Sequence, residues 1–187
     1  MDKDTSEVEI CPVNKQVKDT WRAEVYSLLS QADKEFLPPL SARTSTSQKE
    51  LKSKKVLQGG VENYFQEMWK QEFLLATAGV KVKQLAGFMS YKTSYQVKLQ
   101  DDSVNSWYVS TVVVAPEFRG QGITSRFYAE LQKRAKIAKY PIVTRTWSTN
   151  HAHLKILHQL GFKMVMRLPD DRGEGIDTLY YKWGENV

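Results

Sequence analysis

The chain reads Val112-Val113-Val114-Ala115-Pro116-Glu117-Phe118-Arg119-Gly120-Gln121-Gly122-Ile123-Thr124 in its second half. The apolar, β-branched run at the start predicts a buried strand, and the apolar residues that recur after Gly122 predict a helix. Glycine has no side chain to keep a ligand from the backbone, and a helix N-terminus offers free N–H groups and the positive end of the helix dipole. This stretch therefore predicts an anion-binding loop between a strand and a helix.

The same loop excludes two common nucleotide-binding motifs. No Gly-Lys-Ser or Gly-Lys-Thr follows it, as a nucleoside triphosphate loop requires, and no third glycine completes a dinucleotide fingerprint. A strand, a Gly-x-Gly pair and a helix can also form a tight turn that binds nothing. Taken alone, the glycines leave a binding loop and a purely structural turn both open.

Strand-like and helix-like segments are mixed along the rest of the chain. The strand-like segments are residues 8–10, 73–78, 85–91, 107–114, 142–147, 163–168 and 178–183. Helical spacing of apolar residues runs over residues 17–29, before Pro38-Pro39, and over residues 61–71, 123–135 and 150–160. Residues 41–55, rich in Ser, Thr, Gln and Lys, predict a mobile or partly helical surface loop. This mixture predicts an α/β fold with a central sheet.

Length and composition predict one soluble domain over residues 1–187. No run approaches the roughly 18 apolar residues that span a bilayer, so we expect a cytoplasmic protein with no membrane partner. The net charge of +6 favours polyanions, but no nucleic-acid-reading motif accompanies the lysines, so nucleic acid is disfavoured as a partner. Cys11 is the only cysteine, which excludes an intrachain disulfide, and we expect it in the core and not as a nucleophile.

Two segments carry a resemblance to a known family. The valine strand, Pro116 and Arg119-Gly120-Gln121-Gly122-Ile123-Thr124 resemble the acetyl-CoA-binding motif of the GNAT superfamily, Arg/Gln-x-x-Gly-x-Gly/Ala. Thr124 departs from the small residue usual at its position but still offers its backbone amide. Asn150, followed by a helix-like segment and Leu160-Gly161-Phe162, resembles the second cofactor segment of the family. Residues 8–12 also resemble its opening strand.

The resemblance implies a GNAT fold, in which helices flank a mixed, mostly antiparallel central sheet whose central parallel strands splay apart. It implies an acetyl-CoA-dependent N-acetyltransferase that transfers acetyl to a primary amine by direct attack in a ternary complex. Acetyl-CoA would be the cosubstrate and no metal would be needed. The acceptor would be a small-molecule or peptide amine, and the protein a monomer or homodimer. A non-catalytic acyl-CoA-binding regulatory module is the alternative.

The resemblance also assigns cofactor-binding residues. Backbone groups of Val112, Val113 and Val114 would meet the pantetheine arm, and an N–H of this strand would meet the oxyanion. Asn150 would hydrogen-bond the cofactor near the thioester. The pyrophosphate would be held by Arg119, Gly120, Gln121, Gly122, Ile123, Thr124 and Ser125.

The usual catalytic side chains of the family are missing. Leu157 stands where the family often carries a tyrosine as general acid, and Ser110 and Arg145 occupy the neighbourhoods of its glutamate base. His153, one helical turn before Leu157, and Tyr180 in the last strand are the candidate proton-transfer groups. For His153 a satisfied, partly buried histidine is the favoured interpretation, and for Tyr180 core or surface packing is.

The three histidines do not predict a metal site. His151 and His158 share one face of the predicted helix but lie about 10 Å apart along it, and His153 points elsewhere. Their shared helix therefore places no three ligands around one ion.

The acceptor groove is expected between the first two helices, the 41–55 loop and the 170–175 turn. This turn is acidic, with Asp170, Asp171, Glu174 and, just beyond it, Asp177. A solvated polar turn is favoured over one that attracts a cationic amine.

Overall fold

The computed structural model describes residues 7–51, 57–99 and 102–185. The strands are β1 (Glu9–Pro12), β2 (Glu72–Ala78), β3 (Gln84–Leu99), β4 (Asp102–Val114), β5 (Ile142–Trp147), β6 (Lys163–Leu168) and β7 (Thr178–Trp183). The α-helices are α1 (Lys15–Thr20), α2 (Arg22–Gln31), α3 (Val61–Met68), α4 (Ile123–Ala138) and α5 (His151–Gln159). The order of elements matches the prediction, and the bounds of β5, β6 and β7 match residue by residue.

Two boundaries in the first half differ from the prediction. The first predicted helix is two helices, because the chain turns at Trp21, which ends α1 and precedes α2. β3 and β4 extend beyond their apolar segments, because their outer ends pair with each other as far as Leu99↔Asp102. Backbone pairing, which the apolar pattern does not report, lengthens both strands.

One prediction about burial holds only in part, and another is wrong. Residues 41–51 are a surface loop only in part: Thr44, Lys49 and Glu50 are exposed, but Ser41, Arg43 and Thr46 are at most 5% exposed. Their polar groups are satisfied inside the protein, as where the Thr46 hydroxyl donates to Glu67 Oε1 at 3.0 Å. Cys11 is exposed on β1 and not part of the core. The remainder of the predicted loop, residues 52–55, lies outside the described residues.

Within the described residues the strands form one sheet of seven in the order β1-β2-β3-β4-β5-β7-β6. Every neighbouring pair is antiparallel except β4 and β5, which are parallel. A parallel pair needs a long crossover, and α4 lies between β4 and β5 in the chain. The mixed, mostly antiparallel sheet with central parallel strands is therefore confirmed.

The sheet opens at its centre, between β4 and β5. These strands pair only at Trp107↔Ile142, Tyr108↔Val143 and Val109↔Thr144. Next, Ser110 is an extra residue in β4, because Tyr91 opposes Val109 while Ser90 opposes Thr111. Such a bulge bends its strand and increases the twist. β4 then continues beside β3, and β5 beside β7, with a gap between them.

Two cores cover the two faces of this sheet. One core lies beneath α4 and includes Ile123, Phe127 and the partly buried side chains of Val112 and Val114. The other lies beneath α2 and α3 and includes Val113. The alternation of these valines between the two cores places β4 as a central strand covered on both faces.

Candidate active site

A cleft of about 750 Å³ follows the gap between β4 and β5. One wall is the end of β4 with the loop that leads to α4, and the opposite wall is β5 with the first turns of α5. Side chains from residues 32–43, on the other face of the sheet, also line it. The cleft therefore connects the start of α4 to the face of the sheet that α4 does not cover.

The edge of β4 that faces the cleft offers backbone groups. The Ala115 N–H donates to the Ala86 carbonyl oxygen at 2.9 Å and so points toward β3. Because peptide groups alternate in direction along a strand, those of Val112 and Val114 point into the gap, while that of Val113 points toward β3. The sequence analysis assigned all three valines to the pantetheine arm, but only the peptide groups of Val112 and Val114 face the cleft.

The loop before α4 is open toward the cleft. Gly120 and Gly122 have φ values of +78° and +72°, which L side chains rarely adopt, and a Cβ on either would meet nothing within 4 Å. In the described part of the chain no side chain caps α4, so its first N–H groups, at Ile123, Thr124 and Ser125, remain available to a ligand. A phosphate fits this arrangement of free N–H groups and open backbone.

Arg119 is held by protein groups beside this loop. Its Nη2 lies 2.9 Å from both carboxylate oxygens of Glu35, and its Nε donates to the Val114 carbonyl at 3.1 Å. Both side chains of the ion pair are about half exposed, and such pairs contribute about 0–1 kcal/mol. A bound phosphate can therefore draw the guanidinium away from Glu35 at small cost.

Asn150 is the N-cap of α5, as its position at a helix start indicated. Its Oδ1 accepts from the His153 N–H at 3.3 Å, and the residue lines the cleft opposite β4. The cap fixes the direction in which the amide side chain points.

His153 and Tyr128 form a hydrogen-bonded pair at the base of the gap. His153 Nε2 and the Tyr128 hydroxyl lie 2.9 Å apart, and this hydroxyl donates to Thr144 Oγ1 at 3.3 Å. Thr144 Oγ1 donates in turn to the Val109 carbonyl at 3.4 Å, at the last point where β4 and β5 pair. The chain of contacts therefore ends where the two strands part.

The imidazole of His153 is neutral at physiological pH. Part of the residue faces the cleft, yet protein surrounds the ring, and burial lowers the pKa of His153 to about 4. Burial likewise raises the pKa of the Tyr128 phenol well above its ordinary value of 10, so that hydroxyl keeps its proton. The pair carries no charge, and the hydroxyl of Tyr128 donates its one proton to Thr144 Oγ1.

We expect His153 to make the protein less stable in acid. The unfolded chain takes up a proton on this side chain near pH 6.5, whereas the folded protein does so only near pH 4. Stability present above pH 6.5 is thus lost as the pH falls toward 4, by up to about 3 kcal/mol. Urea unfolding at pH 7 and pH 4.5 should show a smaller loss for His153→Gln than for the wild type or for His151→Gln, on the exposed side of α5. Equal losses of unfolding free energy in all three proteins would contradict the lowered pKa of His153.

Tyr180 does not reach the cleft. Its ring packs with Val97, Tyr108 and Val143 in a separate small core, and its hydroxyl accepts from Arg145 Nη1 at 3.4 Å. Of the two predicted proton-transfer groups, the structure brings only His153 to the gap. Leu157, in the place of the usual tyrosine, is fully buried in the core beneath α4.

The sequence analysis did not identify three residues that line the cleft. Tyr128 follows Thr124 by one helical turn, so its position on the loop-facing side of α4 was readable from the spacing. Arg43 and Arg172 lie in segments whose polar composition indicated solvent, yet they are 4% and 1% exposed. Arg43 is held by the nearby carbonyls of Leu37 and Pro38, whereas Arg172 is buried against a distant segment through the Leu37 carbonyl.

A family model described as the Acetyltransferase (GNAT) family matches residues 42–162. The matched region contains β4, the glycine loop, α4, β5 and α5. The chain belongs to the GNAT acetyltransferase family. No curated protein sequence matches the chain.

Solved structures of GNAT acetyltransferases share this fold. A protein of Acinetobacter baylyi assigned to the acetyltransferases superposes with a TM-score of 0.66 at 18% identity, covering 97% of this chain and 94% of that one. The yncA protein of Salmonella typhimurium, solved with its cofactor acetyl-CoA, has a TM-score of 0.64 at 16% identity, covering 97% of both chains. A ribosomal-protein-alanine N-acetyltransferase of Brucella melitensis has a TM-score of 0.62 at 17% identity, covering 95% and 99%. At these identities the likeness shows the fold alone.

The described residues also show how the chain stands with respect to metal binding and membrane crossing. Among the described residues, no group of three or more His, Cys, Asp or Glu side chains is placed to hold a metal ion. No helix in the described ranges is long and apolar enough to cross a bilayer.

Proposed function

We propose that this GNAT protein is an acetyl-CoA-dependent N-acetyltransferase that acetylates a primary amine by direct attack in a ternary complex. The observation that carries the proposal is the gap between β4 and β5, which leads without a break to the uncapped N-terminus of α4. A long, flexible cosubstrate with a diphosphate at one end matches a groove with an anion site at one end. The Salmonella relative, solved with acetyl-CoA, supports this choice of cosubstrate.

Backbone groups make most of the protein's contacts to the cosubstrate. The N–H groups from Gly120 to Ser125 receive the diphosphate, and the peptide groups of Val112 and Val114 pair with the amides of the pantetheine arm. The bound cosubstrate supplies an acetyl thioester, and one N–H at the bulged end of β4 stabilises the oxyanion. Asn150, fixed as the cap of α5, orients the arm from the opposite side.

Tyr128 is the proton donor for the leaving thiolate in this proposal. Its hydroxyl lies where β4 and β5 part, and its raised pKa keeps it protonated before the reaction. To donate, the hydroxyl turns from Thr144 Oγ1 to the thiolate sulfur as the C–S bond breaks, and the phenolate then takes back a proton from water. His153 holds the hydroxyl in place through the 2.9 Å contact and, being neutral, adds no charge. Tyr128 thus takes the role that a tyrosine at the position of Leu157 would have.

A dedicated carboxylate base is absent from the described cleft. Glu35 is the acid among the described residues that line it, and that side chain is paired with Arg119. The amine therefore enters in its neutral form or loses its proton to water, and reaction depends mainly on orientation in the gap.

The test is release of free CoA thiol from acetyl-CoA with a panel of primary amines, followed spectrophotometrically. We expect release with at least one class of amine, and in Asn150→Ala a rate about 10-fold lower, because one orienting contact is lost. Tight acetyl-CoA binding without thiol release from any amine would instead favour the non-catalytic acyl-CoA-binding module.

A further inference from the structure

Three arginine side chains meet on the face of the sheet opposite α4. Thr144 contacts Tyr128 on the α4 side, and neighbouring residues of a strand face opposite ways, so Arg145 projects to the other face. Arg43, from the segment before α3, and Arg172, from the turn between β6 and β7, line the same cleft as Arg145. The cluster therefore lines the cleft from the face of the sheet opposite α4, while the anion-binding loop lines it at the start of α4.

The charges of this cluster are not neutralised by ion pairs. Among the described residues, none of the three arginines has a carboxylate oxygen within 4.0 Å. Their acceptors are neutral oxygens: the Leu37 and Pro38 carbonyls for Arg43, the Leu37 carbonyl and Thr178 hydroxyl for Arg172, and the Gln48 carbonyl and Tyr180 hydroxyl for Arg145. Burial, together with repulsion from the other two guanidinium groups, lowers the pKa of Arg172 to about 9. Buried cations held together in this way carry a free-energy cost that an anion would offset.

The nearby acids offset this cost only in part: Asp171 attracts Arg172, but none of them forms an ion pair with the cluster. Asp171 accepts from the Thr178 hydroxyl at 2.6 Å, and Asp170 accepts from the Gly175 N–H at 2.7 Å. Asp177 pairs with Arg167, outside the cleft. The 170–175 turn therefore uses Asp170 and Asp171 for its own structure and presents Arg172 to the cleft.

Arg145 has a donor with nothing to bind. Its Nη2 is buried and has no hydrogen-bond partner among the described residues, which is rare for a charged donor. The residue comes directly after Thr144, the last to pair with β4. The vacant donor therefore belongs to a side chain that starts at the mouth of the gap, where the acceptor must approach.

We propose that Arg145, supported by Arg43 and Arg172, binds a carboxylate of the acceptor, so that the acceptor is an amine of amino-acid type. The inference rests on the proposed acetyltransferase function and specifies its substrate class. The planar fork of an arginine matches the two oxygens of a carboxylate, with charge on both partners. Polyamines and lysine-rich peptides are disfavoured because they bring positive charge to this cluster.

The first experiment compares kcat/KM for the twenty L-amino acids, their amides and simple aminoalkylphosphonates in the CoA-release assay. We expect the best amino acid to exceed its own amide by about 100-fold or more, because the amide leaves the arginines unpaired. In Arg145→Met this preference should fall to within about threefold, while Lys133→Met, which removes an exposed charge on α4, should keep it. An amide or an uncharged amine that reacts equally well overturns the proposal, and a preferred phosphonate overturns the choice of carboxylate.

The second experiment does not depend on turnover. N-acetyl amino acids, the expected products, should raise the melting temperature of the wild type by about 2 °C or more at saturating concentration, and N-acetyl amino-acid amides should not. Arg145→Met should lose the shift and melt within about 4 °C of the wild type, because it removes a desolvated charge together with the two hydrogen bonds of Nη1. If the N-acetyl amino acids raise the melting temperature but no amine releases thiol, the anion site is supported and the acetyltransferase function is contradicted. If amines release thiol without any preference for a carboxylate, the acetyltransferase function is supported and the anion site is contradicted.

Discussion

Gly122→Glu should weaken acetyl-CoA binding by about 100-fold or more, equivalent to roughly 3 kcal/mol. The new carboxylate would stand in open space beside the free N–H groups of α4, where the diphosphate is proposed to bind, and like charges repel there. The backbone at φ +72° also disfavours any side chain, by about 1 kcal/mol. Isothermal titration with acetyl-CoA measures the change in Kd.

Gly175→Glu is the matched control for this variant. Gly175 has the same φ of +72°, and a Cβ there also meets nothing within 4 Å. The control therefore introduces the same charge and the same backbone strain in the turn between β6 and β7, away from α4. We expect its Kd for acetyl-CoA to stay within about threefold of the wild type. Equal affinities for Gly122→Glu and the wild type would show that the diphosphate binds elsewhere.

Tyr128→Phe should lower kcat by about 100-fold and leave the KM for acetyl-CoA almost unchanged. The substitution removes the proposed proton donor, and general acid catalysis contributes about 10²–10⁴-fold. It leaves the loop and the edge of β4, where the cosubstrate binds, as they are. The loss of the hydroxyl contacts to His153 and Thr144 should cost about 1 kcal/mol of stability, so the variant should remain folded.

The pH profile separates a proton donor from a merely structural tyrosine. Because burial raises the pKa of Tyr128 above 10, the wild-type rate should show no loss of this acid as the pH rises to about 10. Tyr140→Phe, at a partly buried tyrosine stacked near Trp107 and away from the cleft, should keep the wild-type kcat. A kcat for Tyr128→Phe within about twofold of the wild type would contradict this role, because the leaving thiolate would then be protonated by water.

The glycine loop and the Asn150 segment predicted the fold because their signals are local. A buried strand, two glycines and a helix start are set by neighbouring residues, and the order of elements follows from periodicity along the chain. The helix break at Trp21 was missed because the apolar spacing continues across it. The long outer ends of β3 and β4 were missed because their pairing is a property of two strands and not of either pattern.

The arginine cluster illustrates what the sequence could not provide. Arg43 lies in a segment rich in Ser, Thr and Lys, and Arg172 lies among aspartates, so composition predicted solvent for both. They come together only because segments more than 100 residues apart pack against each other, as where Arg172 donates to the Leu37 carbonyl. The acidic turn consequently presents a positive charge to the cleft, the reverse of what its composition suggests.

The central claim is that the gap between β4 and β5 and the start of α4 together bind acetyl-CoA. A crystal structure of the protein with CoA tests it most directly. We expect diphosphate oxygens within about 3.2 Å of backbone nitrogens between Gly120 and Ser125, and pantetheine amides bonded to the peptide groups of Val112 and Val114. CoA bound at any other surface, with the gap between the two strands still open, would contradict the account.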